Sequence, residues 1–267
     1  MRSNCKPLPP AFFLPLPTVV APALIGKLLI RRLGGHERRA RIVETEAYLG
    51  TSDAAAHASH GLTRRTAILF GPPGRAYIYL SYGIHLCLNV STCAEGEAGG
   101  VLFRAAFEWR GPLRGSAARP AFARAGLGTP EPQTGTNEWR GPLRGSAARP
   151  AFTRAGLGTP EPQTGAAPSF AAAGDYRALS GPGKLTRGLA ITADLNGCDL
   201  TRPGPLFLAT DLAIDPAEDN AARGSIVITT RVGISKAAEQ PYRYYLEGHP
   251  AVSGRRTPVL GRIAAIP

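Results

Sequence analysis

A tandem duplication near the middle of the sequence constrains what this chain can fold into. Residues 108–135 recur as residues 138–165 with one difference, Ala123 against Thr153. Repeat architectures need about three or more units to bury a shared core, and this unit is rich in Gly, Pro, Arg and Ala with few large apolar side chains. We therefore expect residues 106–178 to be a flexible insertion that takes no part in the core.

The segments on either side of the insertion are expected to form one domain. Residues 11–105 and 179–267 each hold too little patterned strand and helix for a core of their own, so they should fold together. Residues 1–10 are expected to be a disordered tail. The periodicity described below mixes strands with short helices, which predicts the α+β class.

The charge balance indicates a polyanionic partner. The chain has 31 basic and 19 acidic residues and a net charge of +12. Each repeat copy holds four Arg and two Glu, so removing two copies at +2 each from +12 still leaves +8. Summed positive potential steers nucleic acids, although membrane headgroups also fit, and a GC-rich genome would also favour Arg over Lys.

Cysteine spacing and the N-terminal apolar stretch argue against metal-binding, disulfide-bonded, secreted and membrane-spanning proteins. The four cysteines form no CxxC pair and no cluster with the five histidines, so we expect no metal, no other cofactor and a reducing cytoplasm. Proline interrupts the apolar start of the chain, which argues against a signal peptide and a membrane span, at Pro9, Pro10, Pro15 and Pro17.

Two carboxylates are predicted to share one face of a strand. The segment Arg41–Tyr48 alternates with period two, which places on one face Ile42, Glu44, Glu46 and Tyr48. Residues 51–53 offer an N-cap for a short helix over Ala54–Ala58, which would carry His57.

A β-hairpin with an aromatic tip is predicted next. Arg75–Ser81 and Ile84–Ser91 are β-rich runs separated by Tyr82 and Gly83, and the glycine suits a tight turn. The remaining pattern predicts strands over Val101–Ala105, Ser225–Val232 and Tyr242–Leu246, and a helix over Lys184–Ile191.

Either Glu44 or Glu46 could activate a water molecule. Hydrolysis of an N-glycosidic bond needs a carboxylate that deprotonates water and compensates charge on an oxocarbenium-like sugar. An exposed edge strand also carries such residues, so the pattern leaves the functional and the structural interpretation open.

The tyrosines divide into two groups. Tyr77 and Tyr79 share a strand face and are more typical of core packing than of stacking on an extruded base. Tyr82 has little core to enter at a hairpin tip, so intercalation into DNA is at least as good an interpretation.

Residues 179–186 (LSGPGKLT) look like a phosphate loop but fail the nucleotide-binding pattern at Ala178 and Leu185. Their glycines and lysine could instead present amides and charge to a DNA phosphate, or could form an ordinary helix start. The residues concerned are Gly181, Gly183 and Lys184.

Together these motifs resemble the alkyladenine, or methylpurine (3-methyladenine), DNA glycosylase family. The resemblance rests on residues 41–50 (RIVETEAYLG) with Asp53 and His57, 71–74 (GPPG) with Tyr77, Tyr79, Tyr82, Gly83 and Asn89, 101–105 (VLFRA), 180–185 (SGPGKL) and 231–233 (RVG). It implies a single mixed α+β domain with a largely antiparallel curved sheet, a protruding hairpin and surrounding helices.

The resemblance also implies a role for each site residue. Glu46 would be the general base, supported by Glu44, and the attacking water would also be held by Arg104 and the backbone carbonyl of Val232. Tyr82 would be the wedge that fills the gap left by the flipped base. The damaged-base pocket would comprise Tyr48, His57, Tyr79 and Asn89, the last crowding the exocyclic amine of guanine.

The activity implied is that of a monofunctional, monomeric base-excision repair enzyme acting on double-stranded DNA. Its substrates would be 3-methyladenine, 7-methylguanine, hypoxanthine and ethenoadenine. After Ala105 the chain departs from the family pattern: where the family continues into a helix, this sequence has residues 107–109 (FEW) and the duplicated segment. Two alternatives remain: a helix-hairpin-helix glycosylase, suggested by residues 179–186 alone, and a non-catalytic architectural DNA-binding protein.

Overall fold

A computed structural model describes residues 5–109, 176–212, 224–254 and 257–264. Residues 110–175 of the expected flexible insertion (106–178) lie outside the described residues, as do residues 1–4. No helix in the described ranges is long and apolar enough to cross a membrane.

One antiparallel sheet organises the described part of the chain. Its strands are β1 Cys5–Pro7, β2 Leu28–Leu33, β3 His36–Tyr48, β4 Ala76–Ser81, β5 His85–Ser91, β6 Gly100–Glu108, β7 Leu206–Asp211, β8 Ser225–Thr229, β9 Arg243–Leu246 and β10 Gly261–Ala264. The main path of the sheet runs in the order β1-β7-β2-β3-β6-β5-β4, and a branch joins β3 through β9 and β8 to β10.

Short helices surround this sheet. The α-helices are α1 Pro17–Ala23, α2 Ala67–Phe70 and α3 Pro182–Gly188, and the 3-10 helices are Pro10–Phe13, Gly50–Ser52, His57–His60, Tyr176–Leu179 and Ala193–Leu195. The predicted α+β class with a largely antiparallel sheet is confirmed. Strands from before and after the insertion pair with each other, because β7 pairs with β2 and β9 pairs with β3.

Several predicted boundaries are wrong. The expected disordered tail fails for residues 5–10, because β1 pairs with β7 and a 3-10 helix begins at Pro10. The insertion does not begin at residue 106, because β6 continues to Glu108 in register with β3. The helix predicted over Ala54–Ala58 is replaced by turns and the 3-10 helix that follows them.

Strand β3 begins at His36, five residues before the predicted start at Arg41, and the other predicted elements differ from the observed ones by one to three residues at one or both ends. Helix α3 begins two residues early, because Pro182 suits the first helical position, and it ends at Gly188. Strand β8 stops at Thr229 instead of Val232. These shifts leave the order of elements unchanged.

A β-bulge in β3 corrects the predicted alternation. The pairing of β3 with β6 shifts register on both sides of Glu44. As a result Ile42 and Ala47, an odd number of residues apart, both lie in the main core, and the Thr45 hydroxyl donates to the Ala21 carbonyl of α1 at 2.8 Å. Ile42 therefore does not share a face with Glu46, and the bulge turns the carboxylates away from the core under α1.

Candidate active site

Glu44 and Glu46 are both fully buried, each with 0% exposure. Burial of an ionised carboxylate is costly unless charge and hydrogen bonds compensate it. Both receive such compensation, from an arginine on the neighbouring strand β6: Arg104 Nε donates to Glu44 Oε1 at 2.8 Å, and its Nη1 lies 3.2 Å from Glu46 Oε1. One guanidinium thus connects the two carboxylates.

Glu46 is fixed by donors from three separate segments. The Val232 backbone N–H donates to Oε1 at 2.8 Å, and the Tyr48 hydroxyl donates to Oε2 at 3.0 Å, in addition to the Arg104 contact. Burial raises the pKa of Glu46 above its ordinary value, against the lowering effects of Arg104, Val232 and Tyr48. Burial and the neighbouring Glu46 charge raise the pKa of Tyr48, so the hydroxyl keeps its proton and remains a donor.

A cavity of about 580 Å³ lies above this carboxylate. Glu46 does not line it, but its three partners Tyr48, Arg104 and Val232 do. A cavity of this size is in the range of ligand pockets and accommodates a purine ring. Eight of the predicted site residues line it: Tyr48, His57, Tyr79, Tyr82, Asn89, Arg104, Gly183 and Val232.

Aromatic rings form one wall of the cavity. The His57 ring meets the Tyr79 ring edge-on with centroids 4.4 Å apart, and His57 Nδ1 lies 2.9 Å from the Tyr77 hydroxyl. Burial, with a further contribution from Arg65, lowers the pKa of His57 and favours the neutral imidazole. Asn89 is buried and donates from Nδ2 to the Tyr77 carbonyl at 3.1 Å, which fixes its side chain at the cavity.

The hairpin tip forms the rim of the cavity. Tyr82 and Gly83 both have positive φ, 50° and 69°, in a turn closed by the Ile84 N–H donating to the Ser81 carbonyl at 3.1 Å. The Tyr82 ring is 85% exposed, and its hydroxyl donates to the Gly233 carbonyl at 3.1 Å. The aromatic tip predicted from the sequence is therefore on the surface, next to the cavity.

The glycine-rich segment at the start of α3 is packed against its neighbours. The Gly181 N–H donates to the Arg104 carbonyl at 2.9 Å, so this amide is already used. A Cβ at Gly183 would lie 2.8 Å from the His85 side chain, which requires glycine there. Lys184 is exposed. Contact of Lys184 and Gly183 with DNA phosphate stays a prediction.

Comparison with known proteins identifies the family. A profile of the methylpurine-DNA glycosylases matches residues 11–124 and 158–250, which is more than half of the chain. The chain belongs to the methylpurine-DNA glycosylase family. It is therefore a DNA glycosylase, an enzyme of DNA repair that binds DNA as its substrate. The match omits residues 125–157, a stretch of about one repeat period, so the family pattern accounts for a single copy of the duplicated segment.

Full-length relatives agree with this assignment. The glycosylase is 39% identical over 256 residues to a protein of Koribacter versatilis, covering 95% of this chain and 96% of the relative. It is 38% identical over 248 residues to a protein of Methanoculleus marisnigri, covering 93% and 99%. Both relatives are named "Putative 3-methyladenine DNA glycosylase". Neither alternative from the sequence, the helix-hairpin-helix class or the architectural protein, agrees with these matches.

Sequence reasoning missed an ion pair that holds two walls of the site together. Arg231 Nη2 donates to Asp53 Oδ1 at 2.9 Å and Nη1 donates to the Ala47 carbonyl at 3.0 Å, while the guanidinium lies 4.6 Å from the centroid of the Tyr48 ring. Both residues stood in motifs that carried the family resemblance, but pairing between positions so far apart has no signal in one sequence.

Two more arginines of the site were also missed. Arg243 on β9 donates from Nε to Glu44 Oε1 at 2.8 Å and is 1% exposed. Arg65 lies 5.5 Å from the centroid of the Tyr79 ring and lines the cavity. Neither stands out among the many arginines of the sequence.

Proposed function

We propose that this glycosylase is a monofunctional, monomeric enzyme that extrudes an alkylated or deaminated purine from double-stranded DNA and hydrolyses its N-glycosidic bond. One observation carries the proposal: Glu46 is a fully buried carboxylate, and the three groups that donate to it, from Tyr48, Arg104 and Val232, belong to residues that line an aromatic cavity. Perturbed, buried carboxylates beside a cavity of this size are typical of catalytic sites.

Glu46 would act as the base that activates the attacking water. Its oxygen Oε2 accepts one hydrogen bond from the described residues, that of Tyr48, and a carboxylate oxygen has two lone pairs. We assign the second lone pair to the attacking water. A pKa raised by burial makes the ionised carboxylate a stronger base, because general-base efficiency increases with basicity.

The reaction would be a single displacement by water. The oxygen of the water bonds to the anomeric carbon while one of its protons moves to Glu46. The N-glycosidic bond breaks, and its electron pair remains on the purine. A cationic adduct such as 3-methyladenine leaves as a neutral base. The negative charge of Glu46 would stabilise the oxocarbenium-like sugar, with Arg104 and the Val232 carbonyl orienting the water.

The cavity walls would select the base. Tyr48, His57 and Tyr79 would hold the purine between their rings, and Asn89 would disfavour the exocyclic amine of guanine. Tyr82 at the rim would fill the gap in the duplex. None of the described residues that line the cavity is a lysine, in keeping with hydrolysis rather than Schiff-base chemistry.

A panel of single-lesion duplexes tests the proposal. We expect the purified protein to free 3-methyladenine, 7-methylguanine, hypoxanthine or ethenoadenine, identified by mass spectrometry, and to leave an intact abasic strand until alkali is added. An undamaged duplex of the same sequence is the control. The proposal is wrong if no duplex releases a base, or if borohydride traps a covalent enzyme–DNA adduct.

A further inference from the structure

A second buried arginine stands behind the proposed catalytic base. Arg243 is the cross-strand partner of Glu46 in the pairing of β9 with β3, yet its guanidinium contacts Glu44. Its Nη2 also donates to the Ser253 carbonyl at 2.6 Å, and its Nη1 donates to the Thr257 hydroxyl at 3.1 Å. A fully buried arginine fixed at three points serves to hold charge at a defined position.

Glu44 accepts hydrogen bonds from two arginines and one backbone amide. Its Oε1 accepts both Arg104 Nε and Arg243 Nε at 2.8 Å, and its Oε2 accepts the Ser253 backbone N–H at 2.6 Å. Two positive charges therefore share one carboxylate. Because Arg243 compensates part of the Glu44 charge, Arg104 can also compensate Glu46, which its Nη1 faces.

We infer that Arg243 is a positioning residue, which neutralises Glu44 so that Arg104 can keep Glu46 ionised for base release. This inference rests on the proposed role of Glu46 and extends it to a residue whose guanidinium pairs with Glu44 and which does not line the cavity. Without Arg243, Arg104 would be left as the one arginine that pairs with Glu44 among the described residues. The charge of Glu44 would draw Arg104 toward itself and would disfavour the ionised form of Glu46.

The pH dependence of base release reports this coupling. Glu46 must be ionised to act as a base, so the rate falls on the acid side as it takes up a proton. The charged and titratable groups that face Glu46 come from its own strand, from the other strands of the site and from the segment after β8: Glu44, Tyr48, Tyr79, Cys87, Arg104 and Arg231. All six are kept in the test.

The test compares pH profiles of single-turnover base release for the wild type, Arg243→Gln and Arg243→Lys. We expect Arg243→Gln to move the acid limb upward by about one pH unit, with the alkaline plateau nearly unchanged. Arg243→Lys keeps a charge but cannot hold Glu44 and the Ser253 carbonyl together, so its limb moves the same way by less. If Arg243→Gln does not fold, the acid limb of Arg243→Lys alone tests the inference.

Arg31→Gln is the matched control. Arg31 is also buried, with 4% exposure, but it donates to the Ala190 and Pro205 carbonyls away from the site. This variant should lose thermal stability without moving the acid limb. The inference is overturned if the Arg243 variants lower the rate by the same factor at every pH, or if their limb matches that of the wild type. A different result would contradict the proposed role of Glu46 itself: base release by Glu46→Gln at the wild-type rate.

Discussion

The buried charges beneath the cavity and the hairpin tip at its rim differ in how the fold holds them. Glu46 is 0% exposed and each of its oxygens accepts a hydrogen bond, whereas Tyr82 is 85% exposed and makes one, to the Gly233 carbonyl. Removing a buried partner leaves an uncompensated charge, while removing an exposed ring leaves only solvent. Changes beneath the cavity should therefore affect stability and rate together, and changes at the rim should affect DNA binding alone.

The largest effect on stability is expected from Asp53→Ala. This change leaves the Arg231 guanidinium, with 0% side-chain exposure, without its carboxylate, so the free energy of unfolding should fall by about 3–5 kcal/mol. Burial raises the pKa of Asp53, but hydrogen bonds from Arg231 and Ala55 outweigh it and hold the pKa below its usual value. The stabilisation is therefore present above the unfolded pKa and lost as pH falls through the lowered folded pKa. Chemical denaturation at neutral and acidic pH measures both.

Glu247→Ala is the control for Asp53→Ala. Glu247 pairs with Arg262 on the surface, where their side chains are 41% and 55% exposed, so its loss should lower the free energy of unfolding far less than the loss of Asp53. Equal losses in the two variants would contradict the contrast between buried and exposed charge.

A smaller effect, confined to DNA binding, is expected from Tyr82→Ala. Stacking of an aromatic ring on a base contributes about 1–3 kcal/mol, so affinity for a lesion duplex should fall about tenfold while the free energy of unfolding changes by less than about 0.5 kcal/mol. Fluorescence anisotropy and denaturation give the two quantities. Tyr82→Phe keeps the ring and should keep most of the affinity. Wild-type affinity in the Ala variant would remove Tyr82 from its proposed role.

Local patterns predicted the parts of the site that lie along one strand or one turn. The hairpin with Tyr82 at its tip followed from Gly83 between two β-rich runs, and β3 followed from alternation, because both signals are local. The same alternation gave the wrong face for Ile42, because the bulge at Glu44 depends on pairing with β6. A register shift of this kind is set by tertiary packing and leaves no mark in the period of one strand.

Long-range contacts within the site were beyond sequence reasoning. The pair of Asp53 with Arg231 and the contact of Arg243 with Glu44 join residues far apart along the chain. The roles proposed for Glu46 and Arg104 came from the family resemblance and not from their spacing. Residues 1–10 were expected to be a disordered tail, but Cys5–Pro7 pairs with β7, and this pairing depends on a strand edge that only the folded sheet provides.

The most direct test of the central claim is single-turnover base release by Glu46→Gln beside Glu95→Gln, a change at an exposed carboxylate. Gln keeps the size of Glu and a hydrogen-bond acceptor but cannot take a proton from water. The account predicts that Glu46→Gln binds a lesion duplex nearly as tightly as the wild type and releases the base at least about a hundredfold more slowly, while Glu95→Gln is unchanged. Release by Glu46→Gln at the wild-type rate would contradict it.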